Sequence, residues 1–204
     1  MVLYLVSIIG GDFLIILLNL IFGKPVFGYS TKYVIIAGIL AAVGVIAIDG
    51  IFATIVRRCL PEKWFDYRVK FHDASKKECK FYEKIGIKKW KDKVWELGMF
   101  TNFSKKNMAN PDIAYLERFI LENNYGYWCH LADAFFGFLL LFFYPAEYRL
   151  VIPLPACIIN FILNMLPVFI LRYNTNRLKR TRVVLLKKEE KAKKEAEASE
   201  PAED

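Results

Sequence analysis

Apolar and charged positions fall in long blocks along this chain rather than alternating residue by residue. Four blocks are apolar over roughly the 20 residues needed to cross about 30 Å of hydrocarbon: residues 2–22, 33–56, 127–144 and 150–171. Their ionisable and amide interruptions are few: Asp12 and Asn19, Asp49, His130 and Asp133, and Asn160 with Asn164. The first block lacks a basic n-region, and no small-residue cleavage site follows Phe22, so it is expected to be a span and not a signal peptide. The pattern predicts an all-α integral membrane protein with four transmembrane helices. An interfacial helical segment is expected between the second and third. The expected organisation is residues 1–56 for the first two spans, 57–126 for that segment, 127–171 for the last two spans, and 172–204 for a basic tail.

Charge gives the arrangement a direction. Of 29 Lys and Arg, 16 lie in residues 57–118 and 10 from Arg172 onward, leaving Lys24, Lys32 and Arg149. With four spans, both basic stretches and both termini share one side, and the positive-inside rule makes that side cytoplasmic. The expected location is therefore the cell membrane, multi-pass, with both termini inside and the lipid bilayer as the first partner. A hydrophobic share of 55% in 204 residues excludes a disordered chain, and the length excludes a multi-domain enzyme. Cys59, Cys79, Cys129 and Cys157 show no close pairing, and the first three fall on or near the face where thiols stay reduced. No metal site is expected, because Cys59, His72 and Cys79 lack a fourth ligand.

Residues 57–126 interleave Trp64, Phe65, Phe71, Phe81, Tyr82, Trp90, Trp95, Phe100 and Phe103 with lysines. That mixture suits a segment in the headgroup zone, with rings at the boundary and ammonium groups near lipid phosphates. The basic residues stand beside spans and match no nucleic-acid motif, so nucleic acid is not a partner. Asn110-Pro111-Asp112 predicts a helix start, and Asn123-Asn124-Tyr125-Gly126 its end. His72 is expected to be exposed in a helix. The tail after Arg180 is expected to be a charged helix fraying into disorder.

An ionisable group at mid-span costs at least ~2.5–3.5 kcal/mol on insertion scales, so each calls for a partner or a job. Asp49, His130, Asp133 and Asn164 all fall in the cytoplasmic half. His130 and Asp133, three apart, share a helical face, and an imidazole beside a carboxylate accepts and hands on a proton near neutral pH. Asp12, Asn19 and Asn160 are expected to be interhelical glue. The sequence has no phosphate-binding loop, no G-x-S-x-G, no HExxH, no CxxC and no His-x-x-x-x-Asp.

Three segments, KIGIKKWKDKV (84–94), ERFILENN…H (117–130) and N-x7-RYNTNRL (164–178), together resemble the glycosyl-diaponeurosporenoate acyltransferase family of bacterial membrane proteins. The resemblance covers about residues 61–178. It matches Lys89, Trp90, Lys91, Lys93, Glu122, His130, Asn164, Arg172, Tyr173, Asn174 and Arg177. It implies a membrane O-acyltransferase that moves a fatty acyl group from a cytosolic thioester, acyl coenzyme A or acyl carrier protein, to a sugar hydroxyl. The implied acceptor is a glycolipid such as a carotenoid glucoside, and no bound cofactor is needed. Within that reading His130 is the general base, oriented by Glu122 or Asp133. Arg172, Asn174 and Arg177 hold donor phosphates or the oxyanion, and Lys89, Lys91 and Lys93 draw the donor in. The competing reading is a non-catalytic lipid-binding or assembly protein whose basic rim grips anionic headgroups.

Overall fold

The computed structural model describes residues 2–91, 94 and 112–199. Among them the secondary structure is entirely helical: α1 (Val2–Leu18), α2 (Lys24–Phe27), α3 (Thr31–Cys59), α4 (Lys76–Lys84), α5 (Ile87–Trp90), α6 (Ile113–Phe136) and α7 (Pro153–Ser199), joined by short 3-10 and π turns. Four helical stretches are long and apolar enough to cross a membrane. They pack around one core of small and aliphatic side chains, among them Ile8, Ile15, Ala41, Val45, Leu140, Ile152 and Cys157. Close approach is made by glycine: a Cβ on Gly38 of α3 would lie 2.3 Å from Ile16 Cγ1 of α1. The outward faces of α1 and α3 carry exposed Val6, Ile9, Phe13, Ile39, Leu40 and Val43, which suits a lipid solvent.

At one end of the bundle, tyrosines tie the helices together. Tyr144 donates to the Ala37 carbonyl at 2.6 Å, and Tyr148 packs against Tyr29 and Tyr33. Asn19 donates to the Val151 carbonyl at 2.7 Å, so it does join α1 to the start of α7.

The other end gathers the charges. Helix α3 stops at Cys59 because Leu60, preceding Pro61, is forced into extended backbone. The chain then lays Phe65, His72, Ala74, Tyr82 and Ile87 against α6 and α7. Helix α7 has 47 residues, about 70 Å at 1.5 Å per residue, so more than half of it stands beyond a 30 Å span and forms a wall for this segment. Leu178 packs on Leu116 and Ile120, and Arg182 pairs with Glu117.

Several sequence expectations are corrected here. Asp112 itself caps α6, accepting from the Tyr115 N–H at 2.6 Å, while Asn110 and Pro111 lie outside the described residues. Asn123-Asn124-Tyr125-Gly126 does not close a helix; α6 runs through it. Both amides have tertiary partners that outweigh their weak helix propensity. Asn123 donates to the Leu171 carbonyl (3.0 Å) and Thr175 Oγ1 (2.8 Å), and Asn124 donates to the Phe65 carbonyl (2.7 Å). Gly126 makes room for Leu171, whose Cδ1 would lie 3.2 Å from an added Cβ. His72 is not exposed in a helix: it is 2% exposed, in a 3-10 turn (Lys70–His72) ahead of the Ser75/Glu78 capping box that starts α4.

Candidate active site in the bundle

Five polar side chains from three helices meet in the apolar interior. Asp49 comes from α3, His130 and Asp133 from α6, and Asn160 and Asn164 from α7. Asn160 and Asn164 are four apart and so share the face of α7 turned to α6. Asn160 Nδ2 donates to Asp49 Oδ1 at 3.0 Å and to the Asp133 carbonyl at 3.3 Å. Asn164 Nδ2 donates to Asp49 Oδ2 at 3.3 Å and to Asn160 Oδ1 at 2.9 Å. Asn164 Oδ1 lies 2.8 Å from His130 Nδ1.

These contacts fix an amide orientation and a tautomer. The Nδ2 end of Asn164 faces acceptors only, so its Oδ1 end must face His130. An oxygen acceptor there requires the proton on Nδ1 and leaves the lone pair on Nε2. The result is a hydrogen-bonded chain from the Asp49 carboxylate through the Asn164 amide to the His130 imidazole. Gly137 allows it to assemble: a Cβ there would sit 2.8 Å from Asn160 Nδ2.

Neither expected orienting group hydrogen-bonds to the imidazole among the described residues. Glu122 is ion-paired with Arg57 (3.0 Å) and Arg118 (2.8 Å), eight residues or about 12 Å along α6 from His130. Asp133 lies in the cluster, but its Oδ1 is buried without a hydrogen-bond partner among the described residues. Asn164 takes the place expected of a carboxylate, and Asp49 stands behind it. Sequence reasoning noted Asp49 as a charge in a span but gave it no role. The signal was present, yet which helix it would meet was not.

The basic motif on α7 divides by face. Arg172 Nε meets Glu78 Oε1 at 3.2 Å, Nη1 donates to the Phe71 carbonyl at 2.5 Å, and the guanidinium lies 5.5 Å from the Tyr127 ring centroid. Its fork is thus committed to the protein. Burial alone would raise the Glu78 carboxyl, but the Ser75 N–H and Arg172 outweigh it and hold the group below its usual range. Tyr173 is buried against Tyr82 and Ile170, Asn174 is half-buried, and Arg177 is exposed. Asn176, missed by sequence reasoning, clasps Ala74: its Oδ1 accepts from the Ala74 N–H (3.1 Å) and its Nδ2 donates to the carbonyl (2.6 Å). Lys89 is exposed, Lys91 and Trp90 are half-buried, and the Trp90 indole donates to the Ile85 carbonyl at 3.1 Å. Lys93 lies outside the described residues. None of Lys89, Trp90 or Lys91 has a contact bringing it to His130 among the described residues.

A helical bundle with four membrane-length helices, holding an imidazole hydrogen-bonded to a buried amide, defines a membrane-type helical protein. The chain belongs to the glycosyl-4,4'-diaponeurosporenoate acyltransferase family, whose profile matches residues 61–183, 123 of its 204 residues, and it is an acyltransferase. No curated protein and no solved structure matches it. The matched stretch holds nearly all of the segment between α3 and α6, then α6 and most of α7, so it contains His130 and Asn164 but not Asp49.

Proposed function

We propose that this chain is a multi-pass membrane O-acyltransferase that moves a fatty acyl group from a cytosolic thioester to a sugar hydroxyl of a glycolipid, with His130 as general base. The observation that carries the reading is the Asp49–Asn164–His130 relay. An acceptor hydroxyl must lose its proton as it attacks. His130 Nε2 takes that proton while the hydroxyl oxygen bonds to the thioester carbonyl carbon. The C–S bond then breaks, and the imidazolium returns the proton to the leaving thiolate. Asp49, acting through the Asn164 amide, holds the tautomer and favours the transient imidazolium.

The acceptor class rests on the family, whose acceptor is a glycosylated carotenoid acid. Its sugar would sit at the cytoplasmic ends of α6 and α7 with its apolar part along the bundle. The orientation rests on Arg57, Arg118, Arg172, Lys179 and Arg182 collecting at one end. Arg172 and Glu122 brace the interfacial segment and the α3–α6 contact. Donor attraction falls to the exposed Arg177 and the lysines of 76–91.

The test is purified protein in nanodiscs with a radiolabelled acyl thioester and a glycosylated polyene acid. His130→Gln is expected to insert normally and lose 10²-fold or more of the transfer rate, the usual share of a general base. An unchanged rate removes the base assignment. No transfer by the wild-type chain with any thioester removes the thioester-donor reading.

A further inference from the structure

A cavity of about 310 Å³ lies at the charged end of the bundle, apart from the relay. Its walls come from three places: Leu60 just past α3, the interfacial segment with Trp64, Val69, Phe71 and His72, and Trp128 of α6. We propose that this cavity is the seat of the donor's fatty acyl chain and that it sets which chain lengths are transferred. The proposal rests on the acyl-transfer reading above and adds the site that reading lacks.

The lining presents carbon. The Trp128 indole N–H donates to His72 Nε2 at 3.1 Å, and His72 Nδ1 is buried without a hydrogen-bond partner among the described residues. Phe71 stacks on Trp128 with centroids 5.7 Å apart. An apolar void of this size forfeits dispersion contacts along its whole wall, since interiors otherwise pack to crystal density. It also falls at the low end of the 300–1,000 Å³ usual for small-molecule sites.

The walls are held from outside. Asn124 of α6 fixes the Phe65 carbonyl, and the Phe65 ring stacks on Tyr125 at 4.0 Å. Arg172 of α7 fixes the Phe71 carbonyl. Side chains that bind backbone oxygens in this way hold the backbone of the Phe65 and Phe71 walls in place. Three features argue for an acyl chain as occupant. Trp64 and Phe71, 53% and 60% exposed, form a mouth at the level where α3 leaves the apolar zone, as a chain arriving from the interface requires. Lys63 supplies a cation beside that mouth, complementary to the phosphates of a thioester carrier. Trp128 stands two residues from His130, about 3 Å along the same helix, so chain seat and base share one height on different faces of α6.

Two of the four tryptophans, Trp64 and Trp128, line the cavity, which makes it readable without any turnover. In a Trp90→Phe/Trp95→Phe background, dibromostearoyl coenzyme A is expected to quench fluorescence saturably, with displacement by stearoyl coenzyme A. Val69→Phe or Leu60→Phe should weaken that binding roughly ten-fold, about the loss of two methylene contacts, and shift transfer toward shorter chains. Two filled variants are used so that one that misfolds does not decide the result. Quenching unchanged in both folded variants overturns the proposal. Equal quenching by brominated phospholipid that stearoyl coenzyme A cannot displace also overturns it, because the cavity is then a niche for bilayer lipid. Saturable binding without transfer in the wild type leaves the seat standing and removes the proposed transfer to a sugar hydroxyl. Transfer with an unaltered chain-length profile in the filled variants does the reverse.

Discussion

Arg172 and Glu78, 94 residues apart in sequence, meet at 3.2 Å and fasten α7 to the capping box of α4. The same guanidinium donates to the Phe71 carbonyl and leans on the Phe71 and Tyr127 rings. Planarity matters for all of these contacts at once, and an ammonium reproduces only one of them. Arg172→Lys is therefore expected to lower thermal stability in detergent by roughly 1.5–3 kcal/mol, the range for a hydrogen bond to a charged group. A double-mutant cycle with Glu78→Gln should show coupling. Independent effects of the two changes would mean the pair is incidental.

Asn164 is the hinge of the relay, because it bonds to both Asp49 and His130. Asn164→Leu keeps the volume but removes donor and acceptor together, so the imidazole loses its fixed tautomer. Transfer should fall by about 10²-fold with membrane insertion retained. Asp49→Asn should also lower kcat with little change in KM, since in the proposed relay the carboxylate acts through Asn164. Equal loss in KM alone would place the two residues in substrate binding instead.

His72 gives a pH signature. Burial, with Lys179 and Arg172 close by, holds its pKa below the ordinary histidine range, against Asp73, which acts the other way. The folded state thus refuses a proton that the unfolded chain accepts near pH 6.5. Stability from this group is complete above that pH and is lost as the pH falls from it toward the lower folded pKa. Protonation also removes the Nε2 acceptor of the Trp128 N–H. Melting between pH 7 and pH 5 should fall less steeply for His72→Asn, which keeps an acceptor without the titration. An identical slope would assign the acid sensitivity to other groups.

The four apolar blocks and the gathering of basic charge were legible because hydropathy and charge blocks depend only on local composition. His130 and Asn164 were legible as costly polar groups in apolar helices. Their pairing was not, since nothing local tells which face of α6 meets α7. The Asn123–Gly126 stretch reads as a helix end by propensity, yet its amides bond to Phe65, Leu171 and Thr175, contacts that exist only after folding. His72 was hidden for the same reason: Lys70, Asp73, Lys76 and Lys77 surround it in sequence, and its burial comes from Trp128, 56 residues away.

Orientation has a direct readout. With the charged end cytoplasmic, Lys187 should resist an impermeant amine reagent in intact cells, while Lys32 at the other end should react. Labelling of Lys187 from outside would put the relay's charged rim and the acyl cavity on the wrong side for a cytosolic thioester.

Gly137 tests whether the relay depends on close helix approach. It stands where α6 passes into the 3-10 stretch Gly137–Phe143, and its carbonyl accepts from Cys157 Sγ at 3.3 Å. An added Cβ would meet Asn160 Nδ2 at 2.8 Å, closer than real contacts allow. That atom belongs to an amide held by Asp49 and the Asp133 carbonyl, so it cannot swing aside without breaking the network. Gly137→Ala is expected to cost about 1–3 kcal/mol of stability, as overpacking does. Because Asn160 also accepts from Asn164, the strain should reach His130 and reduce transfer by more than the loss of folded protein explains. Gly10→Ala is the control, since a Cβ there meets nothing within 4 Å. A Gly137→Ala protein with wild-type stability and rate would show that Asn160 is not held where the relay needs it.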